Sequence, residues 1–444
     1  MEFKALYIPI GVGTFHMESA QEQFEKSAAM LKDIDASVCV PEKMLLNIDD
    51  LNEFIQNKSA DLVIVQNLTF ANAAYISEIL HSFDCPILLW TLREPVIDGT
   101  RLRLNSLTGA FSAANTMRAF GRNFSYVFSS PDEERVKESV SACFKAARAK
   151  KAMRSLRLLQ VGHTPQGFGF GRALDADMQN AFGVRLESIE ARELIDTAKG
   201  YPDEEIAEYL NDAGKRISGL DKIDKNNVNG FARLYKAYDE YVRAHSIGAL
   251  ASRCWPDFFT AFGTPVCAVL GILNDLGVAS ACEADAYGAL SMFIASDITG
   301  KSVFFGDPVS LDEKENTVTF WHCGMAPCSL AREDTGACAG VHCNRKIGPT
   351  LEFGCRAAEN VTVFRVGRQA DGSFRFFAAK GKALDKPQQF YGTSLVVQVE
   401  NDARQLVENA VKGGWEPHFV VAYGDIFDAV TALGEMLGIP VEEF

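Results

Sequence analysis

The chain has 444 residues, with 44 Lys+Arg against 58 Asp+Glu and a formal net charge of −14. That length holds two or three domains, and the acidic balance excludes a protein that grips nucleic acid by neutralising its backbone. With 47% apolar and 23% charged residues, a largely disordered chain is excluded too.

No apolar run approaches the roughly 18 residues of a membrane span. The start, MEFKALYIPIGVGTF, lacks the basic region and cleavage site of a signal peptide. The expectation is a cytoplasmic protein that engages neither nucleic acid nor membrane. Eleven cysteines amount to about one residue in forty, too sparse for a disulfide scaffold. Cys39, Cys85, Cys143 and Cys267 lie in apolar stretches, where reduced thiols act as small hydrophobes.

In chain order, Phe3–Ile10, Ala36–Val40, Ala60–Gln66 and Cys85–Trp90 are short apolar runs separated by helical spacers such as Ala20–Leu31. Parallel strands buried on both faces have this texture. Residues 1–153 therefore read as a doubly wound α/β domain, closed by the charged helix Glu133–Lys151. The basic stretch Ala146–Arg157 reads as a solvated linker face.

A second α/β domain, 154–300, is expected from strands Leu156–Val161, Val184–Ile189, Ile247–Ser252 and Val278–Glu283, with helices Glu204–Ile217 and Asn226–Ala244. From Lys301 short β runs dominate: Ser302–Phe305, Thr317–Trp321, Val361–Val366, Phe374–Ala379 and Ser394–Val399. Helix Asp402–Val411, strand His418–Ala422 and helix Ile426–Leu437 follow. Residues 301–444 read as a β-rich, barrel-like C-terminal domain.

Three features carry chemistry. Gly167-Phe-Gly-Phe-Gly171 after a strand invites a dinucleotide reading, with Glu187 or Glu190 as the ribose acid, but its G-x-G-x-G spacing misplaces the third glycine. The rival reading is a plain loop at a strand's carboxyl end. His322, Cys323, Cys328, Cys338, His342 and Cys343 crowd into 22 positions. Their outer spacings suit zinc, while a polar loop beside an active site also accounts for WHCGMAP. Glu283, Asp307 and His418 sit where apolar runs begin or end, and two carboxylates plus an imidazole suit Mn²⁺ with positions open for substrate oxygens. Caps and salt bridges are the alternative.

CEADAYGALSMFIASDITGKSVFFGDP places Glu283 and Asp307 24 residues apart. WHCGMAP follows, and much later a His stands before a strand. In these segments the sequence resembles the L-fucose isomerase and L-arabinose isomerase superfamily. The resemblance implies an aldose–ketose isomerase working through an enediolate, with Glu283, Asp307 and His418 as ligands of Mn²⁺ or another divalent cation. Glu283 and Asp307 would also be the acid–base pair. The loop Arg253-Cys-Trp-Pro256 resembles the one before the core motif, which marks Arg253 and Trp255, with His322, as substrate-binding candidates. A trimer or hexamer, with a neighbour closing the site, is also implied.

The chain is shorter than the classical L-fucose isomerases, which points to a compact branch whose sugar differs. An anionic C6-substituted aldose such as sulfoquinovose is an option beside neutral sugars. Arg101, Arg103, Arg253 and Lys346 are its candidate anion partners, with surface ion pairs as the alternative. The rival functions are an NAD-dependent sugar oxidoreductase and a non-catalytic sugar-binding protein.

Overall fold

The computed structural model describes residues 3–444. They form two compact units: the chain up to Lys151 with Asp428–Ile439, and Ala152–Phe427 with Pro440–Phe444.

The first unit is built on parallel strands β1 (Ala5–Ile10), β2 (Leu62–Asn67), β3 (Ile87–Thr91) and β4 (Ser125–Phe128), in that spatial order. Every residue of β1, β2 and β3 is buried, because helices cover both faces. The expected strand Ala36–Val40 is reduced to a bridge, Leu6↔Cys39, with a second bridge at Ile10↔Leu45. Pro41 follows it and has no N–H to extend the ladder. Leu6 also pairs with Val63 of β2, so this segment lies on the opposite edge of β1. The chain steps one way and then the other, and the winding is double. The segment Asp428–Ile439 returns to this unit: Ser125 Oγ donates to the Ala432 carbonyl at 3.2 Å, and Val430 and Leu433 are buried.

The second unit opens with parallel strands β5 (Arg157–Val161), β6 (Arg185–Ile189), β7 (Ala249–Ser252) and β8 (Ala279–Cys282), ordered β6-β5-β7-β8. The winding reverses at β5, so the switch point lies between the carboxyl ends of β5 and β7, where α/β sheets bind ligands. The helix expected from Glu204 starts later. Asp203–Ile206 is a 3₁₀ turn and Ala207–Arg216 the α-helix.

The β-rich region comprises β9 (Phe304–Asp312), β10 (Thr317–His322), β11 (Cys338–Gly340), β12 (Thr350–Gly354), β13 (Ala358–Arg368), β14 (Phe374–Ala383), β15 (Thr393–Val399), β16 (Phe419–Ala422) and β17 (Val441–Glu443). Strands β15, β10, β9, β16, β13 and β14 close into a six-stranded antiparallel barrel through the β14–β15 pairing. Closure removes the open edges. β12 and β17 are added parallel to β15 and β14.

Helix Ala286–Thr299 is buried on almost every side and packs on β7 and β8 as well as on β13 and β16. A helix apolar all round needs neighbours all round. The parallel sheet and the barrel share it, and they fold as one unit.

Candidate active site

Glu283 and His418 are placed by the ends of strands, and Asp307 by the interior of one. Glu283 leaves β8 in the left-handed backbone region, φ 60°, and Ala284 follows at 56°. For residues with a Cβ this costs about 1–2 kcal/mol each. The turn is held by Ala284 N–H donating to the Ser252 carbonyl at 3.0 Å and Asp285 N–H donating to that of Cys282 at 3.2 Å. It turns the Glu283 side chain toward the barrel while Asp285 caps the next helix, accepting from Gly288 N–H at 2.9 Å.

On the barrel, β9 and β16 run antiparallel with Phe419 opposite Gly306, and the next pair in that register is His418 with Asp307. The expectation that Asp307 ends a strand needs correction, because it lies inside the nine-residue β9. Pro308 is tolerated there since the β9–β10 ladder shifts register between Thr319 and Phe320.

The three residues meet. His418 Nε2 is 3.2 Å from Glu283 Oε2 and 3.6 Å from Asp307 Oδ1. His418 Nδ1 donates to Asp285 Oδ2 at 2.9 Å. Asp285 in turn takes a two-pronged ion pair from Arg365, at 2.6 and 3.0 Å, with side-chain exposures of 0% for Arg365 and 1% for Asp285. A carboxylate on Nδ1 fixes the ring's tautomer and leaves Nε2 facing the two acids. Trp255 Nε1 donates to Glu283 Oε1 at 3.0 Å, which orients that carboxylate.

His322 is buried, with a ring nitrogen within 4.8 Å of ligand atoms of Glu283 and His418. Its Nδ1 accepts from Cys323 N–H at 2.9 Å, so the neutral ring carries its proton on Nε2 and acts as a donor there.

Charge follows from this packing. Burial opposes ionisation of Glu283, but His418's hydrogen bond and the His322 and His418 rings outweigh it and hold its carboxyl low. Burial pushes Asp307 up, and His418 and His322 offset this only in part. Burial disfavours an imidazolium at His418, yet hydrogen bonds to Asp285 and Glu283, with the Asp285 and Asp307 charges, raise it to about 9. Asp285 is desolvated, but Arg365 and His418 hold it well below the carboxylate range. Positive charge is thus favoured beside Glu283, and a divalent cation held by Nε2 would take the place of the proton that His418 otherwise carries there. An oxygen-rich set with one imidazole meets the needs of a hard divalent cation, and the residues fit Mn²⁺.

Of the other expected residues, Trp255 is in the site and His322 lines it. Arg253 is engaged by Asp257 at 2.6 Å. A bound anion would have to displace that carboxylate. Arg101 and Arg103 belong to the first unit; Arg103 pairs with Asp98 at 3.0 Å and Arg101 donates to the Thr14 carbonyl. The Gly167–Gly171 loop does reach the site, but not as a phosphate cradle. A Cβ on Gly171 would lie 2.7 Å from Asp285 Cα, so this glycine permits close packing. Phe170 stands edge-on to His418 at 5.3 Å and Phe168 to Trp255 at 5.8 Å.

Asp285 and Arg365 escaped the sequence reading, although each left a trace. Asp285 stands two places after Glu283, and Arg365 is a lone charge in the apolar run VTVFRVG.

A barrel joined to a doubly wound sheet, with two acids and a carboxylate-backed histidine at the junction, defines the sugar-isomerase class. The sequence profile of the L-fucose isomerase C-terminal domain matches residues 331–444. A sulfoquinovose isomerase of Clostridium sp. (strain MSTE9) is 60% identical over 444 residues, 100% of this chain and 99% of the relative. Those of Priestia aryabhattai and Alkalicoccus urumqiensis are 37% and 35% identical, each over 99% of this chain and 98% of the relative. The chain belongs with them to the L-fucose isomerase-like family and is an aldose–ketose isomerase. That membership sets aside the oxidoreductase and sensor readings. Among the described residues no helix is long and apolar enough to cross a membrane.

Proposed function

We propose that the aldose is sulfoquinovose, interconverted with its 2-ketose, and that Glu283, Asp307 and His418 Nε2 hold a divalent cation, Mn²⁺ in the first instance. One observation carries this reading. Two carboxylates converge on an imidazole nitrogen whose partner nitrogen is tied to Asp285, in a chain 60% identical to a sulfoquinovose isomerase.

When bound, the cation supplies Lewis-acid stabilisation of the charge that develops on the sugar's C1 and C2 oxygens. The remaining work falls to the chain. Isomerisation takes a proton from one carbon and returns one to its neighbour, which requires a base and an acid at the reacting bond. Glu283 and Asp307 are the acid–base pair. Trp255 holds Glu283 in place, and His322 offers a donor to a sugar oxygen. Phe168, Phe170 and Trp255 form an aromatic wall that excludes water.

The sulfonate requires a guanidinium. Arg345 lies over the rings of Trp255 and Phe259, at 5.4 and 5.7 Å, and has no carboxylate partner among the described residues. It fits the role better than the paired Arg253. A homo-oligomer, trimeric or hexameric, belongs to the same reading. The apolar Ile97 and Phe111, 93% and 72% exposed, are surface that such an assembly would cover.

The test is a chelator-stripped sample assayed with and without Mn²⁺ on sulfoquinovose, D-glucose and L-fucose. Ketose should form from sulfoquinovose and only with metal added. Undiminished turnover after stripping, or preference for a neutral sugar, would overturn the proposal.

A further inference from the structure

Four cysteines that the reaction does not use gather beside the site. Cys254 follows β7, Cys267 opens the helix Cys267–Asp275, Cys282 ends β8 and Cys323 follows β10; all are free thiols. The sulfurs of Cys254 and Cys267 are 3.6 Å apart. Sγ of Cys267, Sγ of Cys323 and a ring nitrogen of His342 lie within 4.8 Å of one another. Tetrahedral zinc with arms of about 2.3 Å to sulfur sets its ligand atoms about 3.8 Å apart. Cys267, Cys323 and His342 are therefore within about 1 Å of the ligand spacing an ion needs, and Cys254 adjoins them through Cys267.

Sequence spacing does not reveal this set. Of the six residues crowded between positions 322 and 343, only Cys323 and His342 enter it. Cys338 instead meets Ser218 Oγ at 3.2 Å. The other donors come from the parallel-sheet half of the unit.

We propose that Cys267, Cys323 and His342, with Cys254 completing the tetrahedron, form a second cation site that takes a thiophilic ion of the Zn²⁺ class. It differs from the carboxylate site in softness: sulfur-rich donors select zinc-like ions, whereas oxygen donors accept Mn²⁺. Each thiol that ligates gives up its proton to solvent, so entry of one ion releases up to three protons. His342 is buried, stacked edge-on by Phe259 at 5.0 Å. Its Nδ1 lies 3.3 and 3.4 Å from the N–H groups of Asn344 and Arg345, long contacts that ligation can replace.

The site's position has a consequence. Cys323 donates its N–H to His322 Nδ1, and its sulfur lies 3.4 Å from the same nitrogen. An ion on Cys323 therefore anchors the residue that sets the His322 tautomer. It also fastens the loops after β7 and β10 to one helix, so loading should raise the melting temperature.

The test uses the full chain, reduced, chelator-stripped and then saturated with Mn²⁺, with Co²⁺ alone as the probe. One equivalent should produce a thiolate-to-cobalt charge-transfer band in the near ultraviolet, which oxygen and nitrogen donors do not give, together with intense visible bands from the tetrahedral ion. Zn²⁺ should bleach them. Cys323→Ser should remove the charge-transfer intensity of that sulfur, while Cys328→Ser leaves the spectrum intact. If Cys323→Ser does not fold, His342→Gln decides, because it shifts the visible bands when the ring ligates. Absence of the charge-transfer band in the wild type, or a spectrum unchanged by the Cys323 or His342 substitution, overturns the assignment. Neither result depends on which sugar is isomerised.

Discussion

At the scale of single residues, charge placement governs both stability and chemistry. Asp285 and Arg365 are a fully buried ion pair. Removing one partner leaves the other charge without compensation, at about 3–5 kcal/mol. Asp285→Asn should therefore lower the free energy of unfolding by that amount, measured by denaturant titration. It should also release the Nδ1 of His418. Asp307→Asn is a different case. Asp307 is less enclosed than its neighbours, 30% exposed at the side chain, and the amide keeps its shape. That variant should fold with an unchanged melting curve while turnover falls about 10²–10⁴-fold, the range for a lost acid–base group. Wild-type turnover would remove Asp307 from the reaction. Arg345→Met probes the sugar's far end: the activation free energy read from kcat/KM for sulfoquinovose should rise by about 1.5–3 kcal/mol, a charged hydrogen bond. A neutral aldose should be unaffected. Equal losses on both sugars would make Arg345 a structural residue.

At the scale of elements, the loop after β5 shows how a glycine-rich segment contributes without binding phosphate. Gly171 lies against Asp285, and a Cβ there would meet backbone at 2.7 Å, whereas a Cβ on Gly169 meets nothing within 4 Å. Gly171→Ala should destabilise the second unit by about 1–3 kcal/mol through overpacking. It should also lower kcat, because Phe170 must shift against His418. Gly169→Ala should match the wild type in both assays. The contrast within one short loop separates a packing role from general flexibility, which would make the two variants alike. The β9–β16 register has a similar role. It sets His418 opposite Asp307, so a slip of one residue would turn one of the two away from the site.

At the scale of the whole molecule, a late segment of the chain completes the unit that its beginning forms. Asp428–Ile439 packs in the unit formed by the first 151 residues, where Leu433 is wholly buried. Leu433→Ala should cost about 2–5 kcal/mol. Hydrogen exchange should register it as lost protection in β4, reached from this segment through the Ser125 hydrogen bond. If protection fell only around β16, the C-terminal segment would belong with the barrel.

The sequence by itself determined the things that local pattern carries. Continuous apolar runs such as LVIV at 62–65 mark parallel strands because both faces must be covered. The change of texture after Lys301 marks the barrel strands, and the resemblance to sugar isomerases joins Glu283, Asp307 and His418 as candidates where the local pattern alone left caps and salt bridges open. What only the tertiary structure decided are the partners brought from far apart. Arg365 reaches Asp285 across 80 positions, and Arg345 comes to lie over Trp255. Cys267 joins Cys323 and His342 rather than Cys328 or Cys343 completing the set. The physical reason is the same in each case. A buried charge or thiol is stabilised by whatever the fold places within a few ångströms, and barrel closure and sheet winding set that neighbourhood. Spacing along the chain does not.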